Sequence, residues 1–215
     1  MVDALRLKRV KNYRLARAGR SYDGGYILID NFYKNGIAYS FGIRDEISWD
    51  NDVANCGYQI FMYDMTINDL PYHRPEFHFF KEGIGGVKDP IQKLDTLENF
   101  IERNGHQNRR NMILKMDVEG AEWDFLETVK SETLKQFDQI VFEFHDLVRN
   151  LTIERIGKMI SNLKKLNQTH QVIHIHANNH VAAVNYEDDL YPDCLEVTYA
   201  NRASYEFEEI GRAHV

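Results

Sequence analysis

Residues 114–126 read LKMDVEGAEWDFL, and the rest of the chain is best read outward from them. Apolar residues crowd positions 111–116 and stop at Asp117, which predicts a short buried strand ending in a carboxylate. Gly120 permits a tight turn, and Trp123 and Leu126 belong to a helical pattern from Ala121 to about Lys130. If the backbone stays extended beyond the strand, Asp117 and Glu119 point the same way. Glu122 suits the start of the helix, where a negative charge meets the positive end of the helix dipole. That compensation explains Glu122 and leaves Asp117 without a structural reason. Carboxylates this close repel, which favours a raised pKa, a metal ion or a cationic ligand nearby.

The same strand-then-helix alternation recurs along the chain. Strands are predicted at 37–41, 59–63, 77–81, 111–116, 139–144, 172–176 and 195–199. Ser48 is a good N-cap for a helix that Gly57 stops. Leu94, Leu97, Phe100 and Ile101 share one helical face, as do Ile153, Ile156, Ile160, Leu163 and Leu166. Alternation of this kind builds a parallel α/β sheet. The last two strands have no helix between them, which suggests a C-terminal hairpin and an antiparallel edge.

With 215 residues, 43% hydrophobic and 27% charged, the chain can bury the core of one α/β domain. A net charge of −7 argues against nucleic acid as a partner, since that requires a basic footprint. Cys56 and Cys194 cannot build a disulfide framework and suit a reducing compartment. No apolar run is long enough for a transmembrane segment, and the N-terminus lacks the apolar core of a secretory signal, so a cytoplasmic location is expected. Residues 1–20 hold seven basic side chains against Asp3, a net of +6, leaving −13 on the remaining 195. The arm reads either as a solvated segment over an acidic body or as a surface for phosphates.

In such a sheet, ligands bind beyond the carboxyl ends of the strands. Those ends carry Gly42 to Glu46, Asp64, Gly83 to Gly86, Asp117 to Glu122, Glu143 with His145, and His176 with Asn178 and Asn179. Gly42 lets a ligand approach the backbone, and the helix start beyond it offers N–H groups to a carboxylate. The turn is not GxGxxG, so a nicotinamide site is not indicated. Asp64 reads either as an acceptor for ribose hydroxyls or as the cap of its own turn. Glu143 with His145, and His174 with His176, sit two apart on strand faces; either pair could ligate a metal or be structural.

The chain resembles the FkbM-type methyltransferases. The likeness is carried by DGGY (23–26), YSFGIRDEISWD (39–50), Asp64, LKMDVEGAE (114–122), EFH (143–145), HIHANN (174–179) and LEVTYANR (195–202). It implies a class I methyltransferase, Rossmann-like fold: a mostly parallel seven-stranded sheet, a C-terminal antiparallel hairpin and flanking helices. Residues 1–36 would form the basic arm and DGGY segment, and 37–215 the domain that binds S-adenosylmethionine. The resemblance assigns that cofactor to Gly25, Tyr26, Phe41, Gly42, Ile43, Ser48, Asp64, Gly83 and Asp117. Its acceptor would be a hydroxyl of a sugar, free or nucleotide-linked, as in surface-polysaccharide biosynthesis, held by Asn178, Asn179 and Arg202. One departure stands out. The usual acidic residue before the class I glycine turn is replaced by Tyr39 or Ser40, leaving Asp45, Glu46 and Asp117 as partners for the cofactor's amine.

A sugar hydroxyl is a weak nucleophile, so a base or a metal must remove its proton. His145 is the first choice of base, oriented by Glu143 or Asp117, with Glu119 in the same acidic set and His176 as the second choice. Alternatively Asp117, Glu143 and His145 hold a divalent ion, whose oxygen-rich ligands would suit Mg or Mn. Two rival classes use the same residues: a metal-dependent hydrolase and a non-catalytic ligand-binding module.

Overall fold

The structure is a computed structural model that describes residues 2–22, 24–149, 151–178, 183–186 and 189–210. Its central sheet has seven strands: β1 Gly36–Phe41, β2 Tyr58–Tyr63, β3 Phe77–Phe80, β4 Met112–Met116, β5 Phe137–Phe144, β6 His170–Ala177 and β7 Leu195–Asn201. They lie in the order β3-β2-β1-β4-β5-β7-β6. β7 alone is antiparallel, to β5 on one side and β6 on the other. Every residue of β1 and β4 is buried, as expected for inner parallel strands covered on both faces, and both read as near-continuous apolar runs.

Among the described residues five α-helices flank the sheet: α1 Ser48–Asn55, α2 Leu97–Arg103, α3 Glu122–Thr128, α4 Ser131–Leu134 and α5 Ile153–Asn167. One face is covered by α2, α3, α4 and α5, through Phe100, Phe125, Leu134, Leu163 and Leu166 among others. On the other face Trp49, Val53 and Ala54 of α1 share a core with Ala18, Tyr26 and Leu28. The last three come from an N-terminal hairpin of strands Leu15–Ala18 and Tyr26–Ile29. Among the described residues, no helix is long and apolar enough to cross a membrane.

Four details depart from the sequence reading. Ser48 is the first helical residue rather than the cap; Ile47 occupies that place, and the Ser48 hydroxyl accepts the Arg20 N–H at 2.9 Å. Leu94 is not on α2 but pairs, with Asp95, in a short parallel ladder with Gly83–Ile84. Ile153 is 91% exposed, and α5 instead buries Met159, Asn162, Leu163 and Leu166. The antiparallel strand does not lie at the edge, because β7 inserts between β5 and β6.

The basic arm is folded onto the chain's other end. Its strand Lys8–Val10 pairs with Phe207–Glu209. Arg6, Lys8, Arg9 and Lys11 each form an ion pair with Glu206, Glu208 or Glu209. These pairs are mostly exposed and each contributes little, but together they turn the arm's charge toward an acidic strand of the same chain.

Candidate active site

The ends of β1, β2, β4 and β5 open onto one cleft of about 780 Å³, a volume typical of small-molecule sites. The sheet order divides its lining. On the β2 side of β1 lie Tyr63, Asp64 and Met65, facing Ile84, Val87 and Leu94. On the β4 and β5 side lie Lys115, Asp117, Glu119, Glu143, His145 and Asn178. One wall is mainly apolar; the other is charged.

Gly42 sits at the crossing of two strand-end loops. Its φ is +74°, and a β-carbon there would overlap the backbone carbonyl of Asp117. The Asp117 N–H in turn donates to the Phe41 carbonyl at 3.1 Å. Contact between two backbones, rather than approach of a ligand, therefore demands this glycine. Asp64 has a similar internal role. Its Oδ2 accepts the N–H groups of Ile43 (2.9 Å) and Arg44 (2.7 Å), and its Oδ1 accepts the N–H and hydroxyl of Thr66 (2.7 and 2.6 Å). Burial alone would raise its pKa, but these bonds outweigh burial and hold it below the usual carboxylate range. The carboxylate that the sequence left as either a ribose acceptor or the cap of its own turn caps that turn through Thr66 and ties the β1 turn to the β2 loop.

The charged wall centres on His145. Glu122, fully buried at the start of α3, does not cap that helix; it turns back to accept the N–H groups of Val118 (2.8 Å) and Gly120 (3.0 Å). It also faces His145 Nδ1 at 3.2 Å, while Trp123 Nε1 donates to the His145 carbonyl at 2.9 Å. His145 is thereby fixed, with Nε2 aimed at Glu143 Oε1 (3.6 Å), Glu119 Oε2 (3.7 Å) and Asp117 Oδ1 (3.9 Å). Burial opposes a charged ring, but the Glu122 hydrogen bond and the charges of Glu122, Glu143 and Asp117 outweigh it and push the His145 pKa up to about 9. Glu119 reaches the cluster although it and Gly120 have positive φ, so the chain here is not extended.

Tyr26 completes the cluster from the hairpin side. Its hydroxyl is 2.7 Å from Glu143 Oε2 and 3.0 Å from Asp117 Oδ2. A phenol has one proton to give, so it donates to one of the two carboxylates at a time. Burial, opposed by Lys115 and reinforced by Glu143, raises Asp117 to about 6. Glu143 Oε1 further accepts Asn178 Nδ2 (2.7 Å) and Cys194 Sγ (3.1 Å). Lys115 Nζ donates to the Gly42 carbonyl at 2.8 Å and lies 3.9 Å from Asp117 Oδ2.

Of the residues singled out from sequence, Gly42, Ile43, Asp64, Gly83, Asp117, Glu119, Glu143, His145 and Asn178 line the cleft. Tyr26 and Phe41 are buried beneath it, and neither Gly25 nor Ser48 lines it. His176 is exposed near the end of edge strand β6, because the inserted β7 carries it one strand further from β5. Arg202 follows antiparallel β7 and so lies at the opposite end of the sheet, where it donates to the carbonyls of Asn167 and His170 and to Gln171 Oε1. Asn179 and Asp23 fall outside the described residues. Sequence reasoning missed the roles of Lys115 and Cys194. A lysine inside an otherwise apolar strand, two residues before Asp117, was the available signal for the first; a lone cysteine gave none for the second.

The cleft fits S-adenosylmethionine in kind: an apolar wall for a purine, and carboxylates for a sulfonium cation. The family model of the methyltransferase FkbM domain matches residues 53–170. Among solved structures, the chain is similar to a Methanococcus jannaschii fibrillarin pre-rRNA processing protein, with 8% identity over 90% of this chain and 84% of that one and a TM-score of 0.46. It is also similar to the N-methyltransferase NodS of Bradyrhizobium japonicum, with 10% identity over 79% of this chain and 86% of that one and a TM-score of 0.39. No curated protein matches it. More than half of the chain lies within the family model, and the chain belongs to the FkbM methyltransferases, enzymes that use S-adenosylmethionine.

Proposed function

We propose that the protein transfers a methyl group to a hydroxyl oxygen of a sugar. The observation that carries this reading is the Asp117, Glu143, His145 and Tyr26 cluster on the wall of the cofactor cleft. An amine acceptor deprotonates readily near neutral pH, whereas a sugar hydroxyl requires a proton acceptor at the site. When bound, the cofactor supplies an electrophilic methyl group on a sulfonium. The protein holds donor and acceptor in line, which accounts for much of the catalysis in such displacements.

Asp117 is better poised than His145 to take the proton. With a pKa of about 6 it is largely ionised at neutral pH, whereas His145 carries its proton up to about 9. His145 then acts as the positive charge that stabilises the acids around it, and as a donor to the acceptor's oxygen. The described lining has eight carboxyl groups against Arg20, Arg44, Lys115 and the protonated His145. That balance favours a neutral sugar over its diphosphate-linked form.

A second reading keeps the same reaction and places a divalent cation among the acids. Asp117, Glu119 and His145 offer ligand atoms within 4.8 Å of one another, as do Glu143, His145 and Cys194. Separations of 3.6–3.9 Å from His145 Nε2 to three oxygens suit donors around one ion, and Glu122 on Nδ1 is the carboxylate that orients such a histidine.

The test is turnover with S-adenosylmethionine and a panel of sugars and sugar nucleotides, with the methylated atom located by mass spectrometry. O-methylated neutral sugar is expected, with Asp117→Asn slower by about 10²–10⁴-fold. EDTA followed by Mg or Mn separates the two readings: lost and restored turnover indicates the cation, unchanged turnover the base. Methyl groups found only on nitrogen, or on RNA, would sink the proposal.

A further inference from the structure

The structure assigns the zwitterionic methionine end of the cofactor to an ion pair, Arg20 with Glu46, that the N-terminal hairpin brings to the cleft. Arg20 Nη1 lies 2.7 Å from Glu46 Oε2, and both residues line the cleft. An α-amino acid presents an ammonium and a carboxylate side by side, and this pair offers the opposite charges in the same compass. The ammonium meets Glu46 and the carboxylate meets Arg20.

Position and rigidity support the assignment. The apolar wall lies on the β2 side of β1 and suits the purine, and Glu46 lines the same cleft after the Gly42 turn, beside Arg20 and Gly24 of the hairpin. Glu46 is held because its Oε1 accepts the Ser48 N–H at 2.7 Å. The Arg20 backbone is pinned twice: its N–H donates to Ser48 Oγ (2.9 Å) and its carbonyl accepts Arg17 Nε (2.8 Å). The Arg20 guanidinium remains 52% exposed. Lys115 is buried on the Gly42 carbonyl, Arg44 pairs with Glu119 at 2.7 Å, and His145 lies among Glu122, Glu143 and Asp117.

This inference rests on S-adenosylmethionine as the cofactor and not on the nature of the acceptor. The test is calorimetric titration of wild type, Arg20→Met and Glu46→Gln with two probes: S-adenosylhomocysteine, and 5′-methylthioadenosine, which lacks the amino-acid end. Each substitution should weaken S-adenosylhomocysteine by about 10- to 100-fold, the worth of a hydrogen bond to a charged group. The affinity for 5′-methylthioadenosine should change by less than about twofold, which also shows that the variants are folded. Arg20→Lys should recover part of the loss. Unchanged S-adenosylhomocysteine affinity in Arg20→Met would overturn the assignment, as would equal losses for both probes. Wild type that binds neither probe would overturn the cofactor itself, and the assignment with it.

Discussion

At position 42 two loops from separate strands touch, and a side chain has no room. Substituting Gly42 by Ala combines a positive φ with a backbone overlap at Asp117, so it should destabilise the fold by about 3–5 kcal/mol, lowering Tm by roughly 10 °C. Urea unfolding checks this; a variant within about 0.5 kcal/mol of wild type would show that the loops do not meet as described. The sequence marks this glycine but not the backbone contact that demands it, because its neighbour Asp117 lies 75 residues away. Glu122 teaches the same lesson. Its place at a helix start is legible, yet its carboxylate serves the preceding loop and His145, which arrives from another strand. Asp64 was found at the right strand end, and only the structure shows how fully its oxygens are engaged by the chain itself.

At the scale of elements, hydrophobic periodicity was sufficient to find all seven strands of the sheet. It could not give their order. The insertion of β7 depends on pairing between segments more than 50 residues apart, and it is what separates His176 from the cleft while leaving His145 in it. The N-terminal hairpin was harder still to read, since charge patterning drew attention to its basic residues and the resemblance set Tyr26 at the cofactor rather than against Asp117 and Glu143. That side chain joins the hairpin to the ends of β4 and β5 through the carboxyls of Asp117 and Glu143. Tyr26→Phe keeps the ring and leaves both acids without their shared donor. It should cost about 1–3 kcal/mol of stability, read from the urea midpoint at unchanged slope. An unaltered midpoint would mean that the hydroxyl contributes nothing to the cluster.

Across the whole molecule, charge is segregated. Four basic side chains of the N-terminal arm meet the acidic strand at the other end of the chain, while the cleft keeps an excess of carboxyl groups around one histidine and a buried lysine. The alternating strands and the DVEGAE turn made the fold class and the cofactor legible from sequence. The folded chain adds a division of labour, in which the β2 side, the β4 and β5 side, and the hairpin each supply one wall. The account depends first on that cleft accepting a cofactor of the S-adenosylmethionine type. The most direct measurement is a calorimetric titration of the wild-type protein with S-adenosylhomocysteine. Saturable binding at one site per chain, with an affinity in the micromolar range or tighter, about −8 kcal/mol, is the predicted result. Folded protein that gives no heat of binding, while divalent metal still binds, would contradict the account and point to a hydrolase built on the same acids.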